Sequence, residues 1–187
     1  MISEGTVDEA QLAQYLEKLA GLRYETVGIV ESLVLSPSMD EHIPMTYLRL
    51  LPESGVEGQY PGKQWWRGRR VPGRQISAIN AEVLDALEVP YEVSGDNLVI
   101  RGLDLALFGP GDTLRIGDAL LTVTLTPHRP CSKFARRTSL TQMKAISGGK
   151  LRGLMLDAQA PATIQVGDPV ERILLMPTTF DLFAPTV

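Results

Sequence analysis

The chain is a succession of short apolar runs, each cut off by glycine or proline before a long helix could be completed. With 17 glycines and 13 prolines among 187 residues, this punctuation favours many short strands over helical layers. The runs are Val27 to Leu35, Met45 to Leu51, Gln75 to Ala78, Asn97 to Ile100, Leu151 to Leu156, Ala162 to Gln165 and Val170 to Leu175. The clearest hairpin pairs Thr113 to Ile116 with Ala119 to Thr126 across Gly117-Asp118. Leu114 and Ile116 on one strand, and Leu121, Val123 and Leu125 on the other, give each an apolar face by simple alternation. Pro130 is expected to stop the second strand, since proline cannot donate to a ladder. The fold class that follows is mostly β: a compact β-barrel with short peripheral helices.

Three helices are expected around it. The first opens at Thr6 and Glu9, which can form a capping box, presents Leu12, Leu16 and Leu19 on one face, and stops at Gly21. Asn80 is read as the cap of a second, with Glu82 in its first turn and Val83, Leu84 and Leu87 as its apolar positions; a third covers Ser139 to Ile146. The segment from Pro52 to Arg74 contains five glycines and three prolines and reads as irregular backbone, of a length often tied to function. Its Trp65 and Trp66 either flank a planar ligand or cover the barrel mouth. The organisation expected is an N-terminal helical extension over residues 1–22 and a barrel domain over 23–187.

Charge is segregated. Lys63, Arg67, Arg69, Arg70 and Arg74 form one window without acid, and Arg129, Lys133, Arg136, Arg137, Lys144, Lys150 and Arg152 form a second. The two windows carry +12 against a net charge of −4, leaving −16 on the remainder. A local anion site fits this pattern better than a surface that coats nucleic acid, the alternative being two solvated loops. The windows are expected to converge at one mouth of the barrel. Inside the second lies Cys131, the single cysteine, in the run H-R-P-C-S-K-F-A-R-R. A thiol among Arg129, Lys133, Arg136 and Arg137 is a candidate sulfur nucleophile or metal-binding thiolate; the competing reading is a small buried hydrophobe. Arg129 and His128 are candidates to stabilise the thiolate, His128 being equally readable as a strand-end residue, and His42 has no partner visible in sequence. One cysteine allows no internal disulfide, which points to a reducing, cytoplasmic location. No apolar stretch is long enough for a membrane span, and the start M-I-S-E-G-T-V-D-E-A lacks the pattern of a secretory signal.

From about Val27 to Ile173 the sequence resembles the MOSC domain, the module named for the C-terminal domain of molybdenum cofactor sulfurase. The matching pieces, in order, are Gly55-Val56-Glu57-Gly58, Gly73-Arg74-Gln75-Ile76-Ser77 with Asn80 and Glu82, Asn97 to Leu103, Gly111 to Gly117, Arg129-Pro130-Cys131 and Gly167-Asp168-Pro169-Val170. The resemblance implies a barrel with a deep basic pocket for the phosphorylated pterin of the molybdenum cofactor. It also implies that Cys131 is either a molybdenum ligand or a sulfur carrier. Arg74, Arg129, Lys133, Arg136 and Arg137 are then the candidates to hold the phosphate.

Three functions follow from it as expectations. One is a molybdenum-dependent oxidoreductase acting on N-hydroxylated compounds with a separate electron-donor protein. Another is a carrier that accepts a persulfide on Cys131 from a cysteine desulfurase, and the third is a non-catalytic module that holds or delivers the cofactor. The chain departs from the family where many relatives continue Gly-Asp: here Gly58 is followed by Gln59 and Tyr60. No nucleic-acid or membrane partner is expected, and the oligomeric state is left open.

Overall fold

The computed structural model of the chain describes residues 6–61, 65–66, 69–148 and 150–173. Lys63, Arg67 and the end of the last expected strand lie outside them. Seven strands wind into a closed sheet: β1 (Gly28–Leu35), β7 (Ile76–Asn80), β8 (Leu98–Arg101), β9 (Thr113–Ile116), β10 (Ala119–Val123), β11 (Leu154–Ala158) and β13 (Pro169–Ile173). Their order is β13-β9-β10-β11-β7-β8-β1, and β1 pairs again with β13 to complete the ring. Each of these pairings is antiparallel except β7 with β8. Closure removes the open edges that would otherwise need protection.

Short strands flank the ring: β2 (Ile43–Met45) on β1, a sheet of β3 (Tyr47–Leu51), β4 (Gly55–Val56) and β12 (Ala162–Gln165), and the pair β5 (Trp65–Trp66) and β6 (Arg69–Arg70). The expected run Met45 to Leu51 is therefore split between two strands that lie in different sheets.

The barrel interior is filled by alternating apolar side chains such as Leu114, Ile116, Leu121 and Leu156. A bulge between Val30 and Ser32 in the β1–β8 ladder shifts the register. Val30 and Leu33, which strict alternation would send to opposite faces, consequently both enter the core. All five residues of β7 are buried, because its outer face is covered by helices.

Those helices are α1 (Glu9–Ala20), α2 (Ala81–Ala86), α3 (Tyr91–Ser94), α4 (Ser132–Arg137) and α5 (Leu140–Ala145). A second apolar cluster joins Leu12, Tyr15 and Leu19 of α1 to Ile79, Val99, Phe134 and Ile146. The apolar face of α1 differs from the expected one: Tyr15 is buried and Leu16 is 48% exposed. Asp8, rather than Thr6, caps α1 by accepting from the Gln11 amide.

Two further expectations are corrected. Asn80 precedes α2 without capping it; its amide donates to the carbonyls of Ile100 and Leu103 and its oxygen accepts from Leu105 N. Strand β10 ends at Val123 rather than at Thr126, and Leu125 is 88% exposed. Past Val123 the chain leaves the sheet, held by Thr124 N to Met155 O and by hydroxyl bonds to the 72–73 backbone.

Candidate functional site

The site is built where four connections meet: the loop after β1, the turn before β8, the segment 124–131 after β10, and the turn before β11. Ser94, Gly95 and Asp96 form the turn before β8, read from sequence only as a change of direction. Gly95 has φ +73, and the guanidinium of Arg137 occupies the space a Cβ would take there. Asp96 beside it is 1% exposed and accepts from Arg152 NH1 at 2.5 Å, with His128 Nε2 at 3.5 Å from its other oxygen.

Arg152 is 4% exposed, stacks on the Phe134 ring at 4.9 Å, and keeps a buried Nε with no hydrogen-bond partner among the described residues. Its position is set by the turn that closes with Gly153 N on Lys150 O. Gly153 has φ +89, and any Cβ there would collide with the Ala78 carbonyl of β7; only glycine lets this turn press on the strand.

Arg137 is tied in from the other side. Its NH1 donates to His42 Nε2 at 2.6 Å and its Nε to the Lys133 carbonyl. Arginine has no lone pair to offer, so His42 must accept at Nε2 and carry its proton on Nδ1, which lies 2.8 Å from Ser36 Oγ. Burial lowers the pKa of Arg137; Asp96, Cys131 and Asp40 oppose that shift while Arg152 adds to it.

Ser36 N in turn donates to Gln59 Oε1, which also accepts from Asn97 Nδ2. Gln59 is thus buried in the scaffold beneath His42, and its Nε2 has no hydrogen-bond partner among the described residues. Gln59 is linked to the arginine cluster through Ser36 and His42.

Of the residues expected from sequence, Cys131 is exposed at the head of α4. Lys133 and Arg136 are exposed on that helix and Arg137 is half-buried. Arg129 is exposed on the wall of a cavity of about 490 Å³, which His128, Pro130, Lys150 and Arg152 also line. Cys131, Lys133, Arg136, Arg137 and Arg74 do not line it. Arg74 is half-buried just before β7, next to Gly73, whose carbonyl accepts from Thr124 of the cavity wall.

Sequence reasoning singled out Cys131 and the cations that lie on α4, but did not join Asp96, His42 and Arg152 into one network. The partners are 95 residues apart for His42 with Arg137 and 56 for Asp96 with Arg152, and no local spacing signals such a pair. Among the described residues no three His, Cys, Asp or Glu side chains gather as a metal site, and no helix is long and apolar enough to cross a membrane.

The architecture is similar to that of solved bacterial proteins. The YuaD protein from Bacillus subtilis superposes with a TM-score of 0.61 at 19% identity, over 77% of this chain and 94% of that one. YiiM from Geobacillus stearothermophilus gives 0.60 at 21%, over 79% and 75%, and YiiM from Escherichia coli 0.56 at 21%, over 79% and 71%. At such identities the likeness is one of fold. No curated protein matches the chain. The family model of the MOSC domain matches residues 70–171, more than half the chain and the stretch that contains β7 to β12 with Asp96, Cys131, Arg137 and Arg152. The chain therefore belongs to the MOSC domain family.

Proposed function

We propose that this protein binds the molybdenum cofactor, with the Cys131 thiolate as the protein's ligand to the metal and the surrounding cations as its phosphate anchor. The observation that carries this reading is the setting of Cys131: exposed, with Arg129 two residues before it and Lys133, Arg136 and Arg137 on the helix it opens. The residues fit such a group. A thiolate is a soft ligand suited to the metal.

Arg137 donates to two neutral acceptors, His42 Nε2 and the Lys133 carbonyl, and the Asp96 carboxylate acts on it through space without a direct bond. Arg152 is committed to Asp96, and Arg74 is assigned to the same phosphate from the end of the first basic window. When bound, the cofactor supplies the redox chemistry, here the reduction of N-hydroxylated compounds with electrons from a separate donor protein. The chain's own residues bind and orient it: Cys131 fixes the metal end, the α4 cations the phosphate end, and His42 the direction of Arg137.

Protein purified from a cofactor-producing host is expected to carry molybdenum and pterin in equal amounts. Cys131→Ser should lose most of the metal while retaining part of the pterin, and Arg137→Gln should lose pterin and metal together. Wild-type protein with neither, or unchanged metal in Cys131→Ser, would overturn the assignment.

The exposure of Cys131 favours a second reading, in which its thiolate attacks the outer sulfur of a desulfurase persulfide, takes that sulfur and releases the donor's cysteine thiolate. In that case mass spectrometry after incubation with a cysteine desulfurase shows one added sulfur on Cys131 of cofactor-free protein. Bound cofactor without turnover of N-hydroxylated compounds would instead identify a holding or delivery module.

A further inference from the structure

The cavity beside Cys131 has walls of Phe108, Val123, Met143, Ile146, Leu154 and Met155, and its polar side chains include His128, Arg129, Lys150 and Arg152. Among the described residues no aspartate or glutamate lines it. Its volume, about 490 Å³, is in the range of sites that enclose small organic molecules, roughly 300–1,000 Å³.

The cations are differently engaged. Arg152 spends one nitrogen on Asp96 but keeps a buried Nε unpartnered at 4% residue exposure. Lys150 donates only to the neutral Phe108 carbonyl, at 3.1 Å. Neither Lys150 nor Arg129 is in an ion pair among the described residues. Apolar walls carrying cations, two of them outside any ion pair among the described residues, select a ligand that has both an apolar body and an anionic group.

We infer that this cavity, distinct from the phosphate anchor on α4, is a binding site for organic oxyanions with an aromatic or acyl body, the charged group held by Arg129, Lys150 and Arg152 and the body by the apolar walls. As the pocket for substrates of the Cys131 site, N-hydroxylated compounds that also carry such an anionic group, it rests on the preceding reading, the shared wall being the Arg129-Pro130 segment that leads into Cys131. Binding itself needs no cofactor.

The test therefore uses the full chain from a host unable to make the cofactor, titrated calorimetrically with 2-naphthoate and phenyl phosphate. Uncharged 2-naphthamide and inorganic phosphate are run beside them. One saturable site is expected for the organic anions, the two differing in affinity according to whether carboxylate or phosphate fits better. The amide and inorganic phosphate should each bind at least about tenfold more weakly. Lys150→Gln and Arg129→Gln should each weaken binding about tenfold and Lys150→Arg should restore it, whereas Lys18→Gln, which removes a charge from α1, should not matter.

Equal affinity for 2-naphthoate and its amide, inorganic phosphate binding as well as phenyl phosphate, or indifference to both charge variants would each overturn the inference. So would the absence of saturable binding by either organic anion. Because the protein is cofactor-free, these outcomes are independent of the metal and pterin measurements on loaded protein.

Discussion

Asp96 and Arg152 are almost fully buried and bonded to each other, a pairing whose energetics differ sharply from those of an exposed ion pair. Removing one partner leaves a buried charge uncompensated, which costs about 3–5 kcal/mol, whereas replacing both with apolar groups is often close to neutral. Arg152→Met and Asp96→Leu are accordingly each expected to destabilise by about 3–5 kcal/mol in urea denaturation. The double variant should be less destabilised than the sum of the two, by well over the ~0.5 kcal/mol scatter of independent sites. Strict additivity would show that the pair is not coupled. The residue types were all visible in the sequence, but the pairing was not: Arg152 reads as one of seven cations in a basic window and Asp96 as a turn residue, because burial is what makes them interdependent.

At the scale of elements, one side-chain cluster ties β1, α2, α3 and β8 together. Arg101 of β8 donates to Glu31 of β1, Asp85 of α2 and the Tyr91 hydroxyl of α3, and Tyr91 donates to Asp85. Burial, followed by the hydrogen bond to Asp85, pushes the Tyr91 phenol up to about 12 from an ordinary value of 10.0. A raised acid keeps its proton longer in the folded state than in the unfolded one. Its contribution is therefore fully present below about pH 10 and lost as the pH rises through about 12. Tyr91→Phe should flatten the decline of stability across that window relative to wild type, as read from denaturant midpoints between pH 9 and 12; parallel curves would refute the linkage. The sequence located α2 well from Val83, Leu84 and Leu87, yet missed α3 and α4. With four residues α3 is a single turn, and α4 carries four polar or charged residues of six, so neither presents an apolar pattern.

For the molecule as a whole, the ring is held unevenly. The β9–β10 and β9–β13 ladders each carry four aligned residue pairs, while the β1–β13 closure carries two, supplemented by Val30 N to Asp168 O and Gly167 N to Val30 O. Local opening follows the thinnest set of contacts. Native-state hydrogen exchange is expected to show the Val30 and Gly167 amides opening at lower free energy than the ladder amides of β9–β10. Uniform protection around the ring would contradict it.

What the sequence determined by itself was the character of the pieces: a mostly β barrel from punctuated apolar alternation, a helix before it, the β9–β10 hairpin, and a basic segment around one cysteine. These are local properties, carried by neighbours within a few residues. The tertiary structure alone decided which cations keep their charge and which are spent, that Gln59 supports His42 from beneath rather than touching an arginine, and that Asn80 serves the β8 turn instead of α2. It also set the apolar cavity beside Cys131. The physical reason is that charge, burial and hydrogen-bond satisfaction depend on partners brought together by ring closure, across separations that leave no periodic trace in the chain.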